Sequence, residues 1–199
     1  MLVIGVTGGI GTGKSTLSSL LASHGAEIID ADKISKGIMK KGKKAYNDVV
    51  NAFGSDILGS DGEIDRKKLA SIVFRDNSRL QLLNSLTHKY IIQEMLEKLN
   101  RIKSTGNTDI CVLDVPIPVE HGFLDTADEI WVVTASLETR IKRIMNRDNM
   151  TRQEAEQRIA AQMSQEDYIK LADLVLENDG SVHDLEKKVD EYLIRKSYR

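Results

Sequence analysis

The sequence predicts an α/β protein, a three-layer α/β/α fold around a five-stranded parallel sheet. Three observations carry that prediction. Short apolar runs, rich in Val, Ile and Leu, recur near residues 2–4, 109–114, 129–134 and 173–177, with a shorter run at 27–30. Helical periodicities separate them, and alternation of this kind places helices on both faces of a parallel sheet. The first run, Leu2-Val3-Ile4, passes straight into the glycine-rich stretch Gly5-Val6-Thr7-Gly8-Gly9-Ile10-Gly11-Thr12-Gly13-Lys14-Ser15-Thr16.

Glycine is costly to order and packs nothing, so a cluster of glycines serves the backbone. The spacing Gly8-x-x-x-x-Gly13-Lys14-Ser15 is the P-loop pattern. Backbone N–H groups gathered at a helix N-terminus hold phosphate, the lysine reaches the outer phosphates and the hydroxyl ligates magnesium. Leu17, Leu20, Leu21 and His24 follow at helical spacing, with Gly25 as the stop. Strand, loop and helix fall where the motif needs them, so the chain is expected to bind ATP or a similar triphosphate together with Mg2+.

The stretch between the second and third strands is far longer than a single crossover helix requires. It therefore holds a helical insertion, with helices expected at 33–41, 44–53, 66–73, 78–86 and 87–101. In the last of these Ile91, Met95, Leu99 and Ile102 mark one face. Lys36, Lys40, Lys41, Lys43 and Lys44 read as solvated surface. Residues 137–152 carry an apolar face of Leu137, Ile141, Ile144 and Met145, with Arg140, Arg143 and Arg147 beside it. A row of arginines is usually a solvated helix face; downstream of a P-loop it reads as a phosphate-clamping lid, because guanidinium presents a planar fork of donors. Thr151-x-x-Glu154 then opens another helix as a capping box. The expected organisation is one domain over 1–199: a core of 1–32, 105–136 and 164–199, an insertion at 33–104 and a lid at 137–163.

Composition narrows the function classes. At 199 residues the chain suits one domain, and a formal net charge of −2 gives no reason to expect nucleic acid as a partner. No apolar stretch reaches membrane-spanning length and the opening residues carry no basic leader, so a cytoplasmic protein without a membrane partner is expected. Cys111 lies in an apolar run and reads as a small buried hydrophobe. A monomer or a weak homo-oligomer is expected.

Among P-loop proteins, a GTPase switch carries an Asn-Lys-x-Asp-type base reader, which is absent, and a motor ATPase usually carries an Asp-Glu pair after an apolar strand. A small chain with a helical insertion and an arginine-bearing lid is expected instead to be a phosphotransferase. Transfer to a hydroxyl calls for a carboxylate that takes its proton. The second strand runs into Asp30-Ala31-Asp32, at the strand end where parallel α/β folds bind ligands. One of the two acids is expected to cap the next helix, leaving the other for chemistry.

These residues together resemble the dephospho-coenzyme A kinase family. The likeness spans nearly the whole chain: the P-loop, Ile29-Asp30-Ala31-Asp32, Asp61-Gly62-Glu63-Ile64-Asp65-Arg66, Leu83-Asn84 with His88, Pro116 with Glu120, the Arg140 to Arg147 stretch, Gln162, and the tail from Ala172 to Gly180. The resemblance implies ATP-dependent phosphorylation of the ribose 3′-hydroxyl of dephospho-CoA. It implies Asp32 as general base and Lys14, Arg140 and Arg147 as stabilisers of the moving phosphoryl group. Gly11, Thr12, Gly13, Lys14, Ser15, Thr16 and Asn178 would hold ATP, with Ser15 on the metal, while Asp32, Arg66, His88 and Pro116 would meet the acceptor. His88 on its own residue type is equally a helix-capping or core histidine. Kinases of another hydroxylated acceptor such as a nucleoside, and a nucleotide-regulated binding protein, are the competing readings.

Overall fold

A computed structural model of the chain describes residues 1–73, 75–115 and 124–197. It divides into two compact units, Met1–Ile29 with Ile102–Arg199, and Asp30–Arg101. The first unit holds the sheet. Strands β1 (Leu2–Thr7), β2 (Glu27–Asp30), β3 (Ile110–Asp114), β4 (Glu129–Thr134) and β5 (Leu174–Glu177) lie in the order β2-β3-β1-β4-β5, all parallel. The fold class is the one expected. Central position explains the composition of β1 and β4: Val3, Ile4, Val6, Trp131, Val132 and Val133 are all essentially inaccessible, as strands covered on both faces must be.

Register decides what meets at the carboxyl edge. Val6 of β1 stands beside Asp114 of β3, Thr7 beside Val132, and Thr134 of β4 beside Glu177 of β5. The ends of β1, β3, β4 and β5 thus converge, and the loops leaving them share one rim. Helices α1 (Lys14–Ser23) and α9 (Val182–Ser197) cover one face: Leu17, Leu21, Leu185 and Val189 close over Ile4, Val112, Trp131 and Leu176. Tyr192 meets Trp131 edge to face at 4.9 Å, and both donate to the Glu129 carboxylate. Cys111 is fully buried, and that burial pushes its thiol up to about 11, so it behaves as a small hydrophobe. Helices α6 (Leu137–Asp148) and α7 (Arg152–Ala160) follow β4, then α8 (Gln165–Lys170) precedes β5. Thr151 and Glu154 form the expected capping box of α7.

The second unit is helical: α2 (Ala31–Ile38), α3 (Lys44–Phe53), a 3-10 turn at Ser55–Ile57, α4 (Arg66–Val73) and α5 (Asn77–Thr105), which runs on beyond it. Tyr46, Val49, Ile57, Ile64, Leu69 and Val73 form its own core. The Asp-Gly-x-x-Asp-Arg segment proves to be an architectural turn. Gly62 takes φ +76°, its carbonyl accepts the Tyr46 hydroxyl at 2.5 Å, and Asp65 caps α4 by accepting from the Lys67 and Lys68 amides.

Two expectations need correction. The helices expected at 78–86 and 87–101 are one continuous helix, α5. Thr87 does not interrupt it because its hydroxyl donates back to the Leu83 carbonyl at 2.8 Å, inside the helix. His88 therefore lies in a helix interior, half-buried. The helix expected from residue 33 begins at Ala31, since the Asp30 carboxylate takes the Lys33 amide at 2.9 Å and starts the helix directly after β2. Among the described residues no helix is long and apolar enough to cross a membrane.

Candidate active site

The glycine-rich loop between β1 and α1 is held from outside by its carbonyl groups. Arg140 Nε donates to the Ile10 carbonyl at 2.9 Å, Arg143 Nη1 to the Thr12 carbonyl at 3.1 Å, and the Asn178 amide to the same Thr12 carbonyl at 2.8 Å. Gln162 accepts the Ile10 amide at 2.7 Å, and Thr12, fully buried, ties its hydroxyl to the Gly9 carbonyl at 2.8 Å. Ile10 also packs into a small apolar cluster with Ile141, Ile144 and Ala155. Consuming the carbonyls in this way stiffens the loop. The first amides of α1, at Lys14 and Ser15, are left without an intrahelical partner, as at any helix start.

Glycine is required where these anchors approach. Gly13 caps α1 at φ +99°, and a Cβ there would overlap the Asn178 amide nitrogen. A Cβ on Gly9 would lie 2.6 Å from Arg140 Nη2. The cradle is backbone-lined because side chains do not fit.

Arg140 carries the electrostatics of the site. It is 6 % exposed, burial pulls its guanidinium below the usual pKa, and its Nη2 has no hydrogen-bond partner among the described residues. A buried, unpaired guanidinium donor beside Gly9 is expensive unless an anion takes it. Lys14 Nζ pairs with the Asp114 carboxylate, whose other oxygen accepts the Ser18 hydroxyl at 2.7 Å. Ser15 is exposed at the first turn of α1 and Thr16 lies next to it, half-buried. At the rim, Asp179 accepts from the amide and hydroxyl of Ser136, the N-cap of α6; hydrogen bonds from Thr139 and Ser136 hold its carboxyl below the usual range.

The other expected residues fall as follows. Arg147 lies two turns beyond Arg140 on α6 and is paired in a fork with Asp148, at 2.8 and 2.9 Å. Asp30 is the cap, and Asp32, in the first turn of α2, is exposed with no hydrogen bond or ion pair among the described residues. Arg66 opens α4 and donates to the Lys36 carbonyl at 3.2 Å. Pro116 and Glu120 lie outside the described residues. So one unit gathers Lys14, Ser15, Arg140 and Asn178, and the other holds Asp32, Arg66 and His88.

Sequence reasoning missed Asp114 and gave Arg143 no task of its own. A signal for Asp114 was present: a single acid closing the apolar run Ile110-Cys111-Val112-Leu113, at a strand's carboxyl end. Only the β1–β3 register makes it Lys14's partner.

Comparison with known proteins places the chain in a family. The family model described as dephospho-CoA kinase matches residues 2–184. A dephospho-CoA kinase from Carboxydothermus hydrogenoformans is 44% identical over 187 residues, 94% of this chain and 90% of that protein. One from Geobacter sulfurreducens is 40% identical over 191 residues, 96% of each. A crystal structure from Thermus thermophilus is 32% identical with a TM-score of 0.82, covering 98% of this chain and 97% of that one. The chain belongs to the dephospho-CoA kinase family.

Proposed function

We propose that this protein transfers the γ-phosphoryl group of ATP to the ribose 3′-hydroxyl of dephospho-CoA, giving coenzyme A and ADP. The observation that carries the reading is the backbone cradle with the unpaired Arg140 Nη2 buried against it, in a chain of this family. Both features fit a polyphosphate: amides and a desolvated fork of donors meet its oxygens, and no side chain obstructs them.

Phosphoryl transfer asks little covalent chemistry of a protein and much positioning and charge stabilisation. The loop amides and Lys14 would hold the β- and γ-phosphates, with Lys14 leaving Asp114 for the phosphate oxygens. Arg140, already fixed by Ile10, would meet charge building on the transferred group at little reorganisation cost. Asp32 would take the 3′-hydroxyl proton as the oxygen–phosphorus bond forms and the bond to ADP breaks. Its carboxylate is exposed and uncommitted, whereas Asp30 is spent on the cap. Asn178 would border the adenine side of the site. Among the described residues no group of three or more His, Cys, Asp or Glu side chains could hold a metal alone. Mg2+ in such enzymes sits on one or two protein oxygens and the phosphates, a role open to Ser15 and Asp114, and there it would neutralise phosphate charge. Residues 137–163 would act as the lid, and the unit of residues 30–101 as the acceptor's unit.

The test is direct. With ATP and Mg2+, dephospho-CoA should be converted stoichiometrically to coenzyme A and ADP, while nucleosides are poor acceptors. Preferential phosphorylation of nucleosides, or hydrolysis of ATP unaffected by dephospho-CoA, would overturn the reading.

A further inference from the structure

The loop residue Ile10 is held at both of its backbone groups. Gln162 accepts its N–H, and Arg140 Nε donates to its carbonyl. A peptide group is planar and trans, so its N–H and C=O point in opposite directions. Each hold therefore fixes a whole peptide plane. In the Gly9–Ile10 plane the N–H turns out to Gln162 at 2.7 Å, and the Gly9 carbonyl turns the other way, to the Thr12 hydroxyl at 2.8 Å and the Thr12 amide at 3.3 Å. In the next plane the Ile10 carbonyl turns out to Arg140 at 2.9 Å. The Gly11 N–H of that plane points away from Arg140 Nε and meets no partner among the described residues.

The two planes face opposite ways, and Gln162 is what keeps the first one turned. Gly9 has no Cβ to bias the peptide that follows it, so a flip of that plane is sterically cheap. The surroundings of Gln162 seat it for the task. It follows α7, its own N–H donating to the Ile159 carbonyl at 3.2 Å, and Ser164 caps α8 two residues on. Ala155 and Ile159 of α7 pack with Ile10 in one apolar cluster, which seats the helix on the loop.

A neutral acceptor suits this position. The point that a Gly9 Cβ would occupy lies 2.6 Å from Arg140 Nη2 and 3.4 Å from Gln162 Oε1, so the two side chains meet at one spot. Nη2 is buried without a hydrogen-bond partner, and among the described residues the titratable group acting on this guanidinium is the Tyr168 hydroxyl rather than a carboxylate. A carboxylate at position 162 would accept the Ile10 amide equally well, but it would also claim Nη2 in a charge-assisted pair. The carboxamide satisfies the loop and leaves the arginine's charge for an anion.

We propose that Gln162 is a positioning residue of the nucleotide site: it turns the Gly9–Ile10 peptide so that the Gly11 N–H is presented to a phosphate oxygen, and it does so without neutralising Arg140. The proposal deepens the kinase reading and rests on its phosphate-binding half alone.

The test separates the acceptor from the charge. Gln162→Met keeps the side-chain length and removes the acceptor. The calorimetric Kd for a non-hydrolysable ATP analogue should then rise by about two- to tenfold, the range of one net hydrogen bond. Gln162→Glu keeps the acceptor and brings a carboxylate to Arg140. Its Kd should rise by about 10- to 100-fold, the range of a bond to a charged group. The Tm of the free Gln162→Glu protein should stay at or above the wild-type value, because the buried Nη2 gains a partner. A side chain serving architecture alone would not give weaker binding with undiminished stability. Gln153→Glu adds the same charge at an exposed position of α7 and should leave the Kd in place. Wild-type affinity in either Gln162 variant, or a Gln162→Glu protein whose Tm falls along with its affinity, would overturn the proposal. A wild-type protein that binds the analogue without phosphorylating dephospho-CoA sinks the acceptor half of the kinase reading and leaves Gln162 to be judged by the same Kd values; absence of binding sinks both.

Discussion

At the scale of single residues, the two carboxylates at the end of β2 and the start of α2 differ in partners that spacing alone leaves open. Asp30 and Asp32 are chemically identical, yet one accepts the Lys33 amide and the other stands exposed one residue into α2. Asp32→Asn keeps the shape and removes the proton acceptor. The turnover rate should fall by ~10²–10⁴-fold, with the Michaelis constant for ATP nearly unchanged. Asp30→Asn should cost stability instead, of the order of 1 kcal/mol or less, because asparagine also caps. Steady-state kinetics and denaturant unfolding of both variants decide the matter; an active Asp32→Asn beside an inactive Asp30→Asn would reverse the assignment. Arg140 offers a second case. It spends Nε on the Ile10 carbonyl and keeps Nη2 unpaired, a division of labour that an ammonium cannot reproduce. Arg140→Lys should therefore lower turnover by about 10²–10³-fold, the usual cost of losing one preorganised donor. A variant with near-native turnover would show that Arg140 serves the loop's architecture alone.

At the scale of elements, what was legible in the sequence followed how local its cause was. Strands β1, β3 and β4 read as apolar runs because burial on both faces leaves few polar positions to disguise them, and α3 and α4 start and stop where expected. The helix junction at Leu86-Thr87 misled: threonine is a weak helix former rather than a breaker, and its hydroxyl is here satisfied by the Leu83 carbonyl. Arg143 was visible as one of a row, but its hold on the Gly11 and Thr12 carbonyls depends on how α6 meets the loop, which no spacing reports. One contact between elements carries a pH signature. His24, at the end of α1, faces the Leu20 carbonyl at 2.8 Å and the Asp190 carboxylate of α9 at 2.6 Å. The carbonyl first, then Asp190, raise its pKa above the usual 6.5, because both favour the imidazolium. A raised folded-state value means the protonated ring stabilises the fold fully below about pH 6.5, and that contribution is lost as pH rises through the higher folded value. Urea unfolding of the wild type and His24→Gln should differ most near pH 5.5 and converge towards pH 8.5. A constant difference across that range would show the contact to be packing rather than charge.

At the scale of the whole molecule, the chain falls into two compact units, with the glycine-rich loop and Arg140 in the sheet-bearing one and the proposed base Asp32 in the helical one. That division predicts where each substrate should leave its mark when supplied alone. Any ligand that binds only the native state stabilises it by mass action, by about 2.7 kcal/mol at a hundredfold excess over Kd. For a chain of this length each kcal/mol moves Tm by roughly 2–4 °C, so a saturating non-hydrolysable ATP analogue should raise Tm by roughly 5–10 °C. Global stabilisation does not reveal the site, but local opening does, because amides nearest the ligand lose their low-energy routes to exchange. Hydrogen exchange with the ATP analogue should slow most in residues 9–18 and 140–147, where the loop, α1 and the arginines of α6 meet. Dephospho-CoA alone should slow exchange most within residues 30–101, the unit carrying Asp32, Arg66 and His88. Both footprints follow from contacts with different elements, so either can fail without the other. Protection by the ATP analogue concentrated in residues 32–66 would remove the cradle as the nucleotide site, whatever the kinetics of the single-residue variants.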